Sequence, residues 1–195
     1  MEEVKSGFIA IVGRPNVGKS TLINLLVGQK IAIMSPKPQT TRNRIMGVLT
    51  EDDYQMIFVD TPGMHKGKDL LNQKIDAIAV SALQEVDLVL FVVDKIKGAA
   101  EEHIINYFKN LDVPVFLCIN KIDILESKTE IDQIILSYIQ AYPFEGVAPI
   151  SAKEGTHIKN LKEMMVPHLT LGPKYFPDEM ITDQSETKLM SELIR

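Results

Sequence analysis

The stretch GRPNVGKST at residues 13–21 constrains this chain more than any other. Two glycines five residues apart are followed by Lys19 and Ser20, with an apolar run at 8–12 before them and a helix-compatible run at 22–27 after them. A strand, a glycine-rich turn and a helix N-terminus in that order can hold a phosphate chain in backbone N–H groups, provided the main chain approaches closely. Gly13 and Gly18 lack the Cβ atoms that would block that approach. Lys19 is then placed to span the β- and γ-phosphates, and Ser20 to bring its hydroxyl to a Mg²⁺ ion. The stretch predicts a nucleotide site.

Apolar runs bounded by turn residues recur at 8–12, 55–59, 86–93, 114–119 and 147–150. They are short, rich in β-branched residues and nearly free of charge, the pattern of buried parallel strands. Helix-period segments lie between them at 19–27, 70–83, 100–109, 128–140 and 158–168, and 44–50 reads as one further, more polar edge strand. Apolar residues make up 45% of the 195, enough to cover both faces of a sheet. The prediction is an α/β fold: a mostly parallel six-stranded sheet with one antiparallel edge strand and helices on both faces. Ligands of such folds sit beyond the carboxyl ends of the strands.

Three further motifs fall at those ends. DTPG at 60–63 closes the run 55–59; the Asp60 carboxylate can hold Mg²⁺, and Gly63 can offer a bare backbone N–H to a γ-phosphate. NKID at 120–123 closes the run 114–119. Guanine presents two adjacent donors, N1–H and the exocyclic amine, which the single carboxylate of Asp123 can accept. Adenine would leave that carboxylate unpaired, at a cost large enough to discriminate. The Lys121 stem can lie over the base, and Asn120 can tie its loop to neighbouring loops. SAK at 151–153 ends the last strand, where the Ala152 N–H is positioned for guanine O6. NKID argues against an ATPase or kinase reading of the phosphate loop.

The order and spacing of these motifs resemble the TRAFAC-class GTPases, and the GxPNVGKS form of the loop points to the branch holding the Era, EngA and tRNA-modification families. Residues 35–44, SPKPQTTRNR, resemble the first switch segment of the Era family; Asn43 follows Arg42 where the sister families usually carry Asp. The stretch GPKYFPDEMITDQSE at 172–186 is similar to the linker that joins the Era GTPase domain to its RNA-binding KH domain. Beyond it, Thr187 and Lys188 stand where that family more often has Arg–Phe. The implied organisation is a GTPase domain at 1–171, then a linker and the start of a KH domain at 172–195, where SETKLMSELIR has the spacing of an amphipathic helix.

What the resemblance implies is a switch that binds and slowly hydrolyses GTP, with Mg²⁺ and GTP or GDP as its ligands. Nucleotide contacts fall on Gly13, Arg14, Pro15, Asn16, Val17, Gly18, Lys19, Ser20 and Thr21. They continue on Asp60, Thr61, Pro62, Gly63 and Met64, on Asn120, Lys121, Ile122 and Asp123, and on Ser151, Ala152 and Lys153. Ser20, Asp60 and Thr41 are the implied Mg²⁺ ligands; Thr41 also senses the γ-phosphate, with Thr40 as the alternative. Met64 stands where Ras-type enzymes carry a water-orienting glutamine, so catalysis rests on Lys19, Thr41, Gly63 and Asn16. For Asn16 two readings stand: it holds a K⁺ ion beside the phosphates, or it only stabilises the loop. Partners implied are the small ribosomal subunit and its 16S rRNA, through the KH domain, with peripheral association at the inner membrane. Two alternatives remain: a nucleotide-responsive binding module with negligible hydrolysis, and an EngA- or tRNA-modification-type domain.

Charge and cysteine content bound the rest. Twenty-one Lys plus Arg against 26 Asp plus Glu leave a net charge of −5, which argues against a bare nucleic-acid binder, DNA included. The single cysteine, Cys118, lies in an apolar run and reads as a core residue, compatible with a reducing compartment. The acidic start MEEVKSG has no secretory pattern, and no run approaches the ~20 apolar residues of a membrane span. A cytoplasmic, monomeric fragment is expected.

Overall fold

The computed structural model of the chain describes residues 3–31, 45–61 and 80–182. Thr40, Thr41 and the rest of the 35–44 segment lie outside the described residues, as do Pro62, Gly63, Met64, most of the predicted helix 70–83 and the tail from 183. The elements follow in the order β1 (Val4–Val12), α1 (Lys19–Val27), β2 (Ile45–Thr50), β3 (Tyr54–Asp60), β4 (Leu88–Val93), α2 (Ala99–Phe108), β5 (Val115–Ile119), α3 (Lys128–Ile139), β6 (Gly146–Pro149), α4 (Ile158–Met165) and β7 (Thr170–Gly172).

Six strands lie in the order β2-β3-β1-β4-β5-β6, and β7 joins at β1. β1 pairs in parallel with β3 and β4, β4 with β5, and β5 with β6, whereas β2 runs antiparallel to β3 at the edge. The fold class is the predicted one, but the described residues form a sheet of seven strands rather than six. The extra strand has a local cause. β4 begins opposite Ile9, which leaves Val4–Ser6 without a neighbour on that side, and Thr170–Gly172 fills the gap antiparallel. β7 is only three residues long and mostly exposed, so it shows no apolar run. The expected boundary after residue 171 falls inside it.

Strand alternation sorts the core into two layers. Ile9 and Ile11 of β1 join Leu22, Ile23 and Leu26 of α1 and Leu161 and Met165 of α4 on one face. Ala10 and Val12 join Ile104, Ile105 and Phe108 of α2 and Ile134 and Tyr138 of α3 on the other. Each fully buried Leu, Ile or Phe contributes roughly 1.5–3 kcal/mol against exposure, so two such layers can outweigh the entropy of ordering the chain. Cys118 is buried on β5, where loss of solvent pushes its thiol pKa far up and keeps it inert.

The chain after β7 is laid along the sheet, as a surface linker would be. Gln55 of β3 is fully buried. Its Oε1 accepts from the N–H groups of Tyr175 and Phe176, at 2.9 and 3.0 Å, while its Nε2 donates to the Phe176 carbonyl and to Thr50 Oγ1, both at 2.9 Å. Further on, the Val48 N–H donates to the Ile181 carbonyl at 2.8 Å, and Thr182 bridges to Gly47 on the outer side of β2. Among the described residues no helix is long and apolar enough to cross a membrane.

Candidate nucleotide-binding site

Four strand ends meet on one side of the sheet. β1 runs into Gly13, β3 ends at Asp60, β5 runs into Asn120 and β6 leads to Ser151. The phosphate loop, Asp60 and Thr61 of DTPG, NKID and SAK therefore gather at the carboxyl edge.

The loop after β1 turns through backbone that side chains resist. Gly13 has φ 154°, and a Cβ there would lie 2.3 Å from the Val92 carbonyl oxygen. Gly18, at φ 98°, caps α1, and its Cβ would lie 2.3 Å from Asn120 Nδ2. α1 has no side-chain cap and no acid in its first turn, so its leading N–H groups and positive dipole end face the loop. Lys19 is buried, and its Nζ donates to the carbonyls of Gly13 and Arg14 at 3.1 and 3.0 Å. Burial lowers its pKa to about 8; nearby Asp60 pulls it up and Arg14 pushes it further down. A buried ammonium whose hydrogen bonds go to backbone carbonyls matches an incoming phosphate.

Ser20 Oγ donates to Asp60 Oδ2 at 3.1 Å, bringing an alcohol and a buried carboxylate together from α1 and β3. Two hard oxygen donors beside a phosphate cradle suit Mg²⁺, which keeps waters and phosphate oxygens for its other positions. Thr61 is buried and fastens the end of β3 to β1 by donating from Oγ1 to the Ile11 carbonyl at 2.8 Å. Asn16 is exposed at the tip of the loop with φ 65°. Val17 is buried and Pro15 half-buried, while Thr21 sits half-buried on the first turn of α1.

Asn120 joins three loops. Its Nδ2 donates to the Val17 carbonyl at 2.8 Å, and its Oδ1 accepts from the Ala152 N–H at 2.9 Å. The Ala152 N–H, expected to face guanine O6, is thus engaged by Asn120, so it reaches a base only by sharing or releasing that bond. Lys121 takes a left-handed turn with φ 66° and donates from Nζ to the Asn16 carbonyl at 2.7 Å. The Ile122 N–H donates to the Ile150 carbonyl at 3.2 Å, holding the NKID loop against the end of β6. Asp123 is exposed, and Ser151 Oγ donates to its Oδ1 at 2.6 Å. That hydrogen bond is the main reason its carboxyl pKa lies below the ordinary value, so it stands ready as a charged double acceptor. Lys153 reaches outward to Glu154 at 3.2 Å.

Two acids that the motifs do not name complete the site. Asp94 follows β4 and accepts from Arg14 Nη2 at 3.1 Å and from Lys121 Nζ at 2.7 Å. Glu101, on the first turn of α2 and only 2% exposed, accepts from Arg14 Nε and from the Gly98 N–H at 2.9 Å. A helix-start acid is legible in the sequence; its pairing with an arginine 87 residues away is not. The Arg14 side chain is committed to these carboxylates, and only its carbonyl faces Lys19.

Residues 8–121 match the family described as 50S ribosome-binding GTPase. The chain is 47% identical over 194 residues to GTPase Era of Clostridium kluyveri and 50% identical over 193 residues to GTPase Era of Clostridioides difficile. Each alignment covers 98% of this chain but only 66% and 65% of the relative, so the chain spans about two thirds of the length of the curated relatives it matches. Among solved structures, Era in complex with MgGDPNP and nucleotides 1506-1542 of 16S ribosomal RNA superposes with TM-score 0.92 at 38% identity, over 98% of this chain and 66% of that one. A variant of Aquifex aeolicus Era bound to GDP.AlF4- gives TM-score 0.90 at the same identity and coverage. By the family match over more than half its length and by these relatives, the chain belongs to the 50S ribosome-binding GTPase family and, within it, to the Era-type GTPases.

Proposed function

We propose that this chain is the guanine-nucleotide switch of a protein that binds GTP, hydrolyses it slowly and acts in assembly of the small ribosomal subunit. The observation that carries the proposal is the convergence at one sheet edge of a cradled Lys19, the Ser20–Asp60 pair and the Asp123–Ser151 pair. In this reading Lys19 and the first N–H groups of α1 bind the β- and γ-phosphates. Ser20, Asp60 and Thr41 hold Mg²⁺, which supplies charge neutralisation as the γ-phosphoryl group leaves. Gly63 lends a backbone N–H to that group, and Asp123 accepts from both donors of guanine. The protein's share of catalysis is positioning and preorganised charge, since Met64 carries no group to orient water.

The Era structure solved with MgGDPNP and a 16S rRNA segment supports the same ligands here. RNA contact is assigned to the KH domain whose linker and start the resemblance puts at 172–195, because the acidic balance of the chain suits contact with RNA phosphates poorly. The site of action is the cytoplasm, with peripheral association at the inner membrane. Calorimetry with Mg²⁺ tests the nucleotide reading: heat with GDP and a non-cleavable GTP analogue and none with ADP is expected, and the reverse order refutes it. Single-turnover GTP cleavage, with and without small ribosomal subunits, tests hydrolysis; no cleavage in either case would leave a binding module instead.

A further inference from the structure

We propose that Asp94 is a positioning residue for guanine-nucleotide binding, its two oxygens fixing Arg14 of the phosphate loop and Lys121 of the base loop at one spacing. The inference rests on the guanine-nucleotide reading of the site and adds a residue outside its four motifs. The strand order explains why Asp94 can do this. β4 lies between β1 and β5, with Phe91 opposite Val12 and Val93 opposite Ile119. The residue just past Val93 therefore stands between the loop leaving β1 and the loop leaving β5.

Asp94 Oδ1 faces Arg14 Nη2 at 3.1 Å and Oδ2 faces Lys121 Nζ at 2.7 Å, so each oxygen serves one loop. Lys121 Nζ also donates to the Asn16 carbonyl, which carries the link on to the tip of the phosphate loop. Behind Arg14, Glu101 takes the guanidinium from its other side and is anchored by the Gly98 N–H on the first turn of α2. The side chains of Arg14 and Asp94 are 21% and 18% exposed, sheltered enough to limit screening by water and salt. Within this network two cations and two carboxylates balance. Asp94 belongs to none of the four nucleotide motifs. Its effect runs through Arg14 and Lys121, by keeping the base loop and phosphate loop from drifting apart and releasing the nucleotide between them.

The test is the dissociation rate of a fluorescent GDP, chased with excess GDP in the presence of Mg²⁺, together with the melting temperature of the nucleotide-free protein. Asp94→Asn is expected to speed release by about tenfold, the size of effect seen when a shared ionic network loses one member. Asp94→Glu should recover part of that loss. Glu102→Gln, which removes only a surface partner of Lys97, should release GDP at the wild-type rate. Arg14→Gln should speed release similarly, and the double variant with Asp94→Asn should fall well short of the product of the two single effects. A folded Asp94→Asn that releases GDP at the wild-type rate, or multiplicative effects in the double variant, overturns the proposal. Should Asp94→Asn not fold, Arg14→Gln decides alone: faster release supports the strut and wild-type release overturns it. Wild-type protein that does not bind GDP overturns the nucleotide reading itself and this inference with it.

Discussion

Binding of GDP should draw a proton onto Lys19. In the nucleotide-free protein burial lowers the Lys19 pKa from 10.5 to about 8, the proximity of Arg14 adding to the effect and that of Asp60 opposing it. Phosphate oxygens favour the charged ammonium and return the pKa to its ordinary range or above. Holding the ammonium charged in the empty site costs about 3 kcal/mol relative to solvent, from ~1.4 kcal/mol per pKa unit. The sign follows from linkage. Between pH 8 and 10.5 the empty folded protein binds fewer protons at Lys19 than the unfolded chain, so its stability rises with pH across that window. The complex needs the charged form, so affinity for GDP falls as pH rises through 8. Proton uptake on binding should be small at pH 7, about half a proton near pH 8 and larger above it, with affinity dropping toward about tenfold per unit. Titration calorimetry in HEPES and in Tris, whose ionisation heats differ, measures the uptake directly. Working no higher than about pH 8.5 keeps guanine itself protonated at N1. Identical apparent enthalpies in the two buffers across the range would refute the linkage.

Gly18→Ala should lower GDP affinity at least about a hundredfold, because a left-handed φ of 98° carries ~1–3 kcal/mol of strain for alanine and the new methyl displaces Asn120 from Val17; affinity within threefold of wild type refutes this. Asp123→Asn should shift selectivity from GTP toward XTP by about a hundredfold, read by competition for the site, and unchanged selectivity would remove Asp123 from base recognition. GTP turnover should be faster in KCl than in NaCl if Asn16 holds a K⁺ ion; equal rates leave Asn16 as a loop stabiliser. Gln55→Leu should destabilise the fold by about 3 kcal/mol in urea and expose the Lys174–Tyr175 bond to trypsin, since it strips four hydrogen bonds from β2 and the segment after β7. A wild-type midpoint and cleavage pattern would show that segment to be held by other contacts.

Much of the fold is legible because parallel strands covered on both faces must be apolar along their whole length. The runs at 55–59, 86–93, 114–119 and 147–150 overlap β3 to β6 within two residues at each end. Where burial is one-sided the signal fades. β1 begins at Val4, four residues before its apolar run, because Lys5 and Ser6 are held in the sheet by β3 and β7 rather than by their own character. β7 exists only because β4 starts late, a fact of pairing that no residue in Thr170–Gly172 announces. The segment 158–168 reads as one helix but tightens to a 3₁₀ turn at Val166–His168, since Pro167 offers no N–H to continue the α ladder.

The site divides in the same way. Motifs are legible where chemistry acts through a short stretch of backbone: Gly13 and Gly18 for close approach, Ser20 for a hydroxyl one residue past the lysine, Asp123 four residues past a strand end. Partners are not legible where strand order brings them together. Arg14 meets Asp94 across 80 residues and Glu101 across 87, and Asn120 meets Val17 across 103. Nothing in the local pattern of VVDKIKGAAEE distinguishes Asp94, at the end of β4, from any acid that closes a strand, and Glu101 looks like an ordinary helix-start glutamate until α2 swings its first turn against the phosphate loop. On the proposed reading the motifs set which nucleotide is recognised, and the placement of Asp94 by the strand order β1-β4-β5 sets how rigidly the two recognising loops are held. A chain with all four motifs intact and a neutral residue at position 94 should keep its preference for guanine and hold the nucleotide for less time.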